Sequence, residues 1–331
     1  MQLLRLFAFV SGVVYFTCVQ LSGTPTNQPQ SPFEAKTVGL KRRAVRELKA
    51  VLRDECSGRV HACSLNDRFA YVYYIANLNS SITTEQRPLS TYFDYAVRAI
   101  NRTLEISAFP VVILCTKETF FFQQSNVRLL ASLSPRVHIK QVDERLWLEP
   151  FHKFRVSQRR PKLMHAYGTT QVFNPKHVGQ YKRLIFLDVD TFLIRNIDEL
   201  FCSVGFAASK RRGVGLFNGG VFTFEPSSHL YQLIEQNMLK YMEEPGLKKF
   251  AMQTLLHRTF GESFFCLNVK YNCHGLCGSD QSCDMLSSKC GIKDEEQLFS
   301  VASVIHAKIS AGGVMKHVPR LFRLWSSYGP S

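Results

Sequence analysis

The chain has 331 residues, 45% of them hydrophobic, enough apolar material for one large α/β domain or two small ones. Lys and Arg outnumber Asp and Glu by 41 to 26, a net charge of +15 that suits a nucleic acid, an anionic membrane or an anionic substrate. The basic runs, among them Lys41-Arg42-Arg43 and Lys210-Arg211-Arg212, come without a zinc-finger, RNP-type or heptad pattern, so nucleic acid is not an expected partner.

The amino terminus has the pattern of a targeting segment. Met1 to Arg5 carries one positive charge, Leu6 to Val19 is uncharged and mostly apolar, and Gln20 with Ser22-Gly23-Thr24-Pro25 ends the run. That stretch is shorter than the ~20 residues that span a bilayer, so residues 1–23 are predicted to be a signal peptide or a short signal anchor. Either sends the rest to the secretory pathway: the Golgi or ER lumen as a type II membrane protein, or outside the cell. Membrane contact is expected only through this segment, if uncleaved. Residues 24–60 are predicted to form a stem. Its first part is Pro-rich, and Leu40, Ala44, Leu48 and Val51 then recur at helical spacing among Lys and Arg, as in a basic amphipathic or an ordinary surface helix. Residues 61–331 are assigned to a single catalytic domain with a Cys-rich loop at 266–290.

Cysteine usage suits an oxidising compartment. Cys115 lies in the apolar run Val111-Val112-Ile113-Leu114, where a buried thiol is expected. Cys56 and Cys63 are near enough in sequence to bridge. Cys266, Cys273, Cys277, Cys283 and Cys290 crowd into one segment with Cys202 upstream, which fits disulfides or a zinc site using His274. Asn79 and Asn101 begin triplets that permit N-glycosylation.

The folded body is predicted to begin near Phe69. Strands are expected at 70–77, 110–115, 136–142 and 215–224 and helices at 92–104, 127–133, 161–167, 196–201, 228–242 and 249–259, with a last buried strand at Ser303 to His306. Strands alternating with helices indicate a mostly parallel sheet covered on both faces. At its centre the apolar run Arg183 to Ile194 is predicted to be a strand that presents Asp188 and Asp190 on one side, where both reach a single hard cation such as Mg²⁺ or Mn²⁺. Leu187-Asp188-Val189-Asp190-Thr191 also fits the nucleophile motif of haloacid-dehalogenase-type phosphatases, although that motif normally opens its domain. The paired Gly219-Gly220 lets backbone approach a ligand closely.

Arg183 to Phe201 (…LIFLDVDTFLIRNIDELF), Phe217 to Phe224 (FNGGVFTF) and Pro226-Ser227 together resemble glycosyltransferase family 8, the glycogenin-like retaining sugar transferases. The resemblance runs from about Phe69 to the carboxyl end and is strongest in the central half. It implies a GT-A fold, Rossmann-like, and a UDP-sugar donor held through Mn²⁺, or Mg²⁺, by Asp188, Asp190 and His306. It further implies Lys162 beside the donor, Ala76 and Asn77 at the uracil or ribose, and Asn218, Gly219 and Gly220 at the donor sugar. Gly313 and Lys316 are implied at the diphosphate, with Lys308 the competing lysine, and Gln253 near the reacting carbon. Gly219 stands where glycogenin has Ser. Met252 stands where the family carries Asp, so no carboxylate nucleophile is expected there. The resemblance favours UDP-glucose as donor, with a glycan or glycoprotein acceptor. Arg159, Arg160 and Lys210 to Arg212 are candidates to recruit an acidic acceptor, or simply a solvated positive surface.

Overall fold

The computed structural model describes residues 4–10, 13–19, 63–65, 68–76, 89–117, 124–153, 167–210, 217–244, 252–261, 263–274, 295–306 and 319–328. The chain divides into two units, residues 1–52 and residues 53–331. In the first, β1 (Leu4–Val10) and β2 (Val13–Val19) pair as an antiparallel hairpin, from Leu4 opposite Val19 to Val10 opposite Val13. Among the described residues no helix is long and apolar enough to cross a membrane. The helix expected near Lys36 to Asp54 lies outside them.

The second unit is built on β3 (Phe69–Ile75), β4 (Val111–Thr116), β5 (Val137–Val142), β6 (Arg183–Leu187), β8 (Ala207–Lys210), β9 (Phe217–Phe224) and β10 (Phe265–Leu267). They form one seven-stranded sheet in the order β10-β8-β9-β6-β3-β4-β5. Every pairing is parallel except those of β9, which runs against both β6 and β8. The inner strands are apolar along their whole length because helices cover both faces. Alternation then divides their side chains. Tyr71, Tyr73, Ile113, Cys115 and Ile185 pack on one face against Ala96, Val97 and Ile100 of helix α1 (Leu89–Ile106). Ala70, Val72, Leu114, Phe186 and Phe222 pack on the other. There they meet α5 (Ser228–Met242) and α6 (Met252–Phe260), through Ile234, Met238, Leu255 and Leu256.

Between β6 and β9 in the chain, β7 (Thr191–Leu193) leaves the large sheet. It enters a three-stranded one with β11 (Cys273–His274) and β12 (Val304–His306), in the order β11-β12-β7. The single strand expected from Arg183 to Ile194 is therefore two strands joined by a turn. Asp188-Val189-Asp190 is that turn, closed by the Thr191 N–H (2.9 Å) and Oγ1 (2.6 Å), which both donate to the Asp188 carbonyl. The two carboxylates converge through turn geometry rather than strand alternation.

Other expected elements appear with their ends shifted by a few residues, and α5 has the predicted bounds. The sequence did not announce α2 as beginning at Gln124 (Gln124–Ser132), nor α3 (Arg145–Lys153), whose Pro150 interrupts the periodic signal. It also did not announce β8, short and built on Ala and Ser, which are weak strand formers. The same holds for the 3₁₀ turn Tyr167–Phe173, the one-turn helix α4 (Pro175–Val178) and the last helix, which follows α7 (Glu295–Val301) as α8 (Pro319–Ser326). The helix expected over 161–167 falls almost wholly outside the described residues.

Disulfide connectivity, which the sequence leaves open, is set for one pair among the described residues: Cys63 bonds Cys202 across 139 residues, with Cα atoms 5.4 Å apart. Nearness in sequence is no guide to this pair, because the fold returns the 3₁₀ turn Asp198–Cys202 to the segment that leads into β3. Cys56 lies outside the described residues, as do Cys277, Cys283 and Cys290; Cys266 sits in β10 and Cys273 in β11. Asn101 is a half-buried residue of α1 whose amide nitrogen donates to the Tyr328 carbonyl (3.4 Å), a poor place for a glycan.

Candidate active site

The carboxyl end of β6 delivers Asp188 and Asp190, and β12 delivers His306 by pairing antiparallel with β7 so that His306 faces Thr191. One ligand atom from each of the three lies within 4.8 Å of the others. His306 is buried, its Nε2 3.0 Å from Asp190 Oδ1. The Val189 N–H donates to Asp188 Oδ1 (2.9 Å), while the backbone N–H of Asp188 donates to the Gly220 carbonyl (2.9 Å). Burial, and after it the neighbouring Asp190 carboxylate, raise the Asp188 carboxyl to about 7, with His306 acting in the opposite direction. Two carboxylates and an imidazole held this close are a donor set that a divalent cation satisfies.

Gly220 makes room for the third ligand. A Cβ on Gly220 would stand 2.2 Å from His306 Cε1 and 2.3 Å from Nδ1, so the imidazole occupies the volume a side chain would fill. Gly219 differs: a Cβ there meets Gln253 Cγ at 3.9 Å and Leu256 Cδ1 at 4.0 Å, ordinary contact. Gln253, in the first turn of α6, thereby lies over Gly219 of β9, next in the chain to Gly220.

Asn218 is buried and already occupied on its acceptor side, since its Oδ1 takes the Gly220 N–H (2.9 Å) and Asn272 Nδ2 (2.9 Å). Its side-chain oxygen is thus engaged within the protein. Asn272, fully buried at the end of the 3₁₀ turn Val269–Asn272, also holds His306 Nδ1 through its Oδ1 at 3.2 Å. Sequence reasoning missed it. A lone Asn at the edge of a Cys-rich stretch carries no local signal, and only the pairing of β11 with β12 brings it under the histidine.

Ala76 follows the end of β3, half-buried and packed against the core. Asn77, Lys162, Gly313, Lys316 and Lys308 lie outside the described residues, as do Arg159, Arg160, Arg211 and Arg212, while Lys210 ends β8. Met252 opens α6, half-buried against the core, and offers no carboxylate.

No family model matches the chain. Among curated proteins, human Glycogenin-2 is 40% identical over 81 residues, 24% of this chain and 15% of that one. Glycogenin-1 of Oryctolagus cuniculus is 29% identical over 119 residues, 34% of this chain and 32% of that one. The putative UDP-glucuronate:xylan alpha-glucuronosyltransferase 3 of Arabidopsis thaliana is 29% identical over 99 residues, 30% of this chain and 16% of that one. The chain thus spans less than a third of the length of the curated relatives it matches. Among solved structures, the galactosyltransferase LgtC in complex with donor and acceptor sugar analogues superposes with a TM-score of 0.51 at 11% identity, over 78% of this chain and 95% of that one. The likeness to LgtC identifies the α/β architecture as a GT-A fold. Over short stretches the chain is thus similar in sequence to glycogenins and to a glucuronosyltransferase, and its fold is that of LgtC.

Proposed function

We propose that the protein is a Mn²⁺-dependent, retaining glycosyltransferase that moves a sugar from a UDP-sugar to a glycan or glycoprotein acceptor in the secretory pathway. The observation that carries this reading is the convergence of Asp188, Asp190 and His306 at the carboxyl end of β6, where open α/β sheets bind ligands. An imidazole beside two carboxylates suits Mn²⁺ at least as well as Mg²⁺, which prefers oxygen alone. When bound, the cation would offset charge on the departing diphosphate.

The chain's own residues supply the rest. Asp188 and Asp190 present carboxylate oxygens from the turn, and His306 an imidazole nitrogen from β12. Lys162 is assigned to the donor's phosphate or sugar hydroxyls, Lys316, or Lys308 in its place, to the diphosphate beside Gly313, and Ala76 and Asn77 to the uridine. Gly219 and Gly220 let the donor sugar approach the β9 backbone, with the Asn218 amide nitrogen as a donor to its hydroxyls. Gln253 contributes a neutral amide above Gly219. With Met252 where a carboxylate would stand, same-face substitution assisted by the donor's own phosphate oxygen replaces a covalent enzyme intermediate. Glucose is the favoured sugar, and glucuronic acid is the next candidate in view of the relative named for UDP-glucuronate; xylose and galactose follow.

Met252 also favours a second reading, a carbohydrate-binding protein of the secretory lumen with little or no turnover. UDP release measured with Mn²⁺ across a panel of UDP-sugars separates the two. Turnover with one donor, abolished in Asp188→Asn, is expected; Mn²⁺-dependent UDP binding without turnover on any donor selects the binding protein. Phosphate release from simple phosphomonoesters would instead revive the phosphatase motif.

A further inference from the structure

A buried polar chain runs from a backbone amide to the His306 ring, and each link dictates the next. The Gly220 N–H is a donor that has no alternative role, so the Asn218 side-chain atom 2.9 Å from it is an oxygen. That oxygen accepts a second bond at 2.9 Å, from Asn272, so the Asn272 atom facing it is the amide nitrogen. The other end of the Asn272 amide is then an oxygen, an acceptor only, and it lies 3.2 Å from His306 Nδ1. Nδ1 must therefore carry a hydrogen. Asn218 (7% exposed), Asn272 (0%) and His306 (6%) are all buried, so water does not compete for these bonds.

We infer that Asn272 is a positioning residue that fixes the proton of His306 on Nδ1 and so reserves Nε2, 3.0 Å from Asp190 Oδ1, for the cation. This rests on the metal-site reading above but not on any activity. The same glycine carries both ends of the device: the Gly220 N–H starts the relay, and the missing Gly220 side chain leaves the space in which the histidine ring lies. An acceptor on the distal nitrogen of a ligating histidine orients the ring and raises its basicity, and its removal typically lowers metal affinity about 10–100-fold.

The experiment is long-range ¹H–¹⁵N correlation on ¹⁵N-histidine-labelled full-length protein, metal-free and with diamagnetic Mg²⁺, joined to Mn²⁺ titrations of Asn272→Leu and Asn272→Asp. Wild-type His306 is expected to hold a proton on Nδ1 in both states. Asn272→Leu is expected to lower Mn²⁺ affinity about 10–100-fold and to admit the Nε2–H tautomer. Asn272→Asp keeps an acceptor under Nδ1, loses the bond to Asn218, and is expected to stay within a few-fold of wild type. An unprotonated Nδ1 in the wild-type protein would overturn the inference, as would equal loss in the Leu and Asp variants, which would mark Asn272 as scaffolding for Asn218. If wild type bound no Mn²⁺, the metal reading would fail by itself while the wild-type spectrum still decided the relay. That spectrum also decides if neither variant folds.

Discussion

Two adjacent glycines of β9 invite the same substitution and should answer differently. In Gly220→Ala the new methyl lies 2.2 Å from the His306 ring, and behind that ring are Asn272 and the buried strand β12, so the histidine has nowhere near to go. Mn²⁺ affinity measured by calorimetry should fall at least as far as for loss of an outer hydrogen-bond partner, about 10–100-fold or more. Gly219→Ala places its methyl at ordinary contact with Gln253 and Leu256 and should leave Mn²⁺ affinity within about threefold, with any change confined to the donor sugar. Equal loss in both would mean that β9 tolerates no side chain here and that the contact with His306 is not the cause. The Asp188 carboxyl supports a further test at the same scale. Its folded value is raised to about 7 against an ordinary value of 3.8, so folding favours its protonated form. The stability of metal-free protein from this group is full below about pH 4 and is lost as pH rises through about 7. A divalent cation reverses the preference: Mn²⁺ should raise the melting temperature at pH 7.5 and progressively less toward pH 5, where protons compete for the same oxygens. A Mn²⁺-induced shift that grew on acidification would exclude Asp188 as a ligand.

The turn between β6 and β7 is the element that makes the site, and its geometry depends on Thr191. Both the backbone N–H and the hydroxyl of Thr191 donate to the Asp188 carbonyl, and the side chain is buried. Thr191→Val preserves the shape and the N–H bond and removes the hydroxyl. The expected cost is about 1 kcal/mol, read as a lower urea midpoint at an unchanged slope. An unchanged midpoint would show that the N–H bond alone closes the turn. The same element shows how far the sequence could be read. An apolar run before Asp-x-Asp announces a buried strand that ends at carboxylates, and the run of Phe217 to Phe224 announces its neighbour; local pattern suffices for both. That the strand stops at Leu187, and that Thr191 to Leu193 joins a different sheet, depends on β12, more than 100 residues away, which no periodicity reveals. His306 was legible only through the family resemblance, and Asn272 not at all, because its role exists only in the pairing of β11 with β12.

Over the whole molecule the parallel sheet and its two helical faces follow from alternating apolar segments, whereas the covalent link across them does not. Cys63–Cys202 joins the lead-in of β3 to the turn after β7, closing a loop of 139 residues. Constraining so long a loop in the unfolded chain stabilises the fold by about 5 kcal/mol in the chain-entropy view, and by about 2–5 kcal/mol in typical measurements. Unfolding of the second unit in guanidinium should therefore shift to lower denaturant on reduction, or in a Cys63→Ser/Cys202→Ser double variant, with the unfolding free energy falling by an amount in that range. A buried free thiol provides the control. Cys115 is fully buried in β4, and burial alone raises its pKa to about 12, so it should resist alkylation in the native protein and react only as the sheet opens. Modification of Cys115 then reports opening of the central sheet, while the guanidinium midpoint reports the bridge. If reduction lowered the unfolding free energy by less than about 0.5 kcal/mol and left Cys115 equally protected, the sheet would hold itself together without the bridge. If reduction lowered the unfolding free energy by several kcal/mol and exposed Cys115 in parallel, the link would be restraining the sheet core itself, including the strand β6 that leads into Asp188 and Asp190.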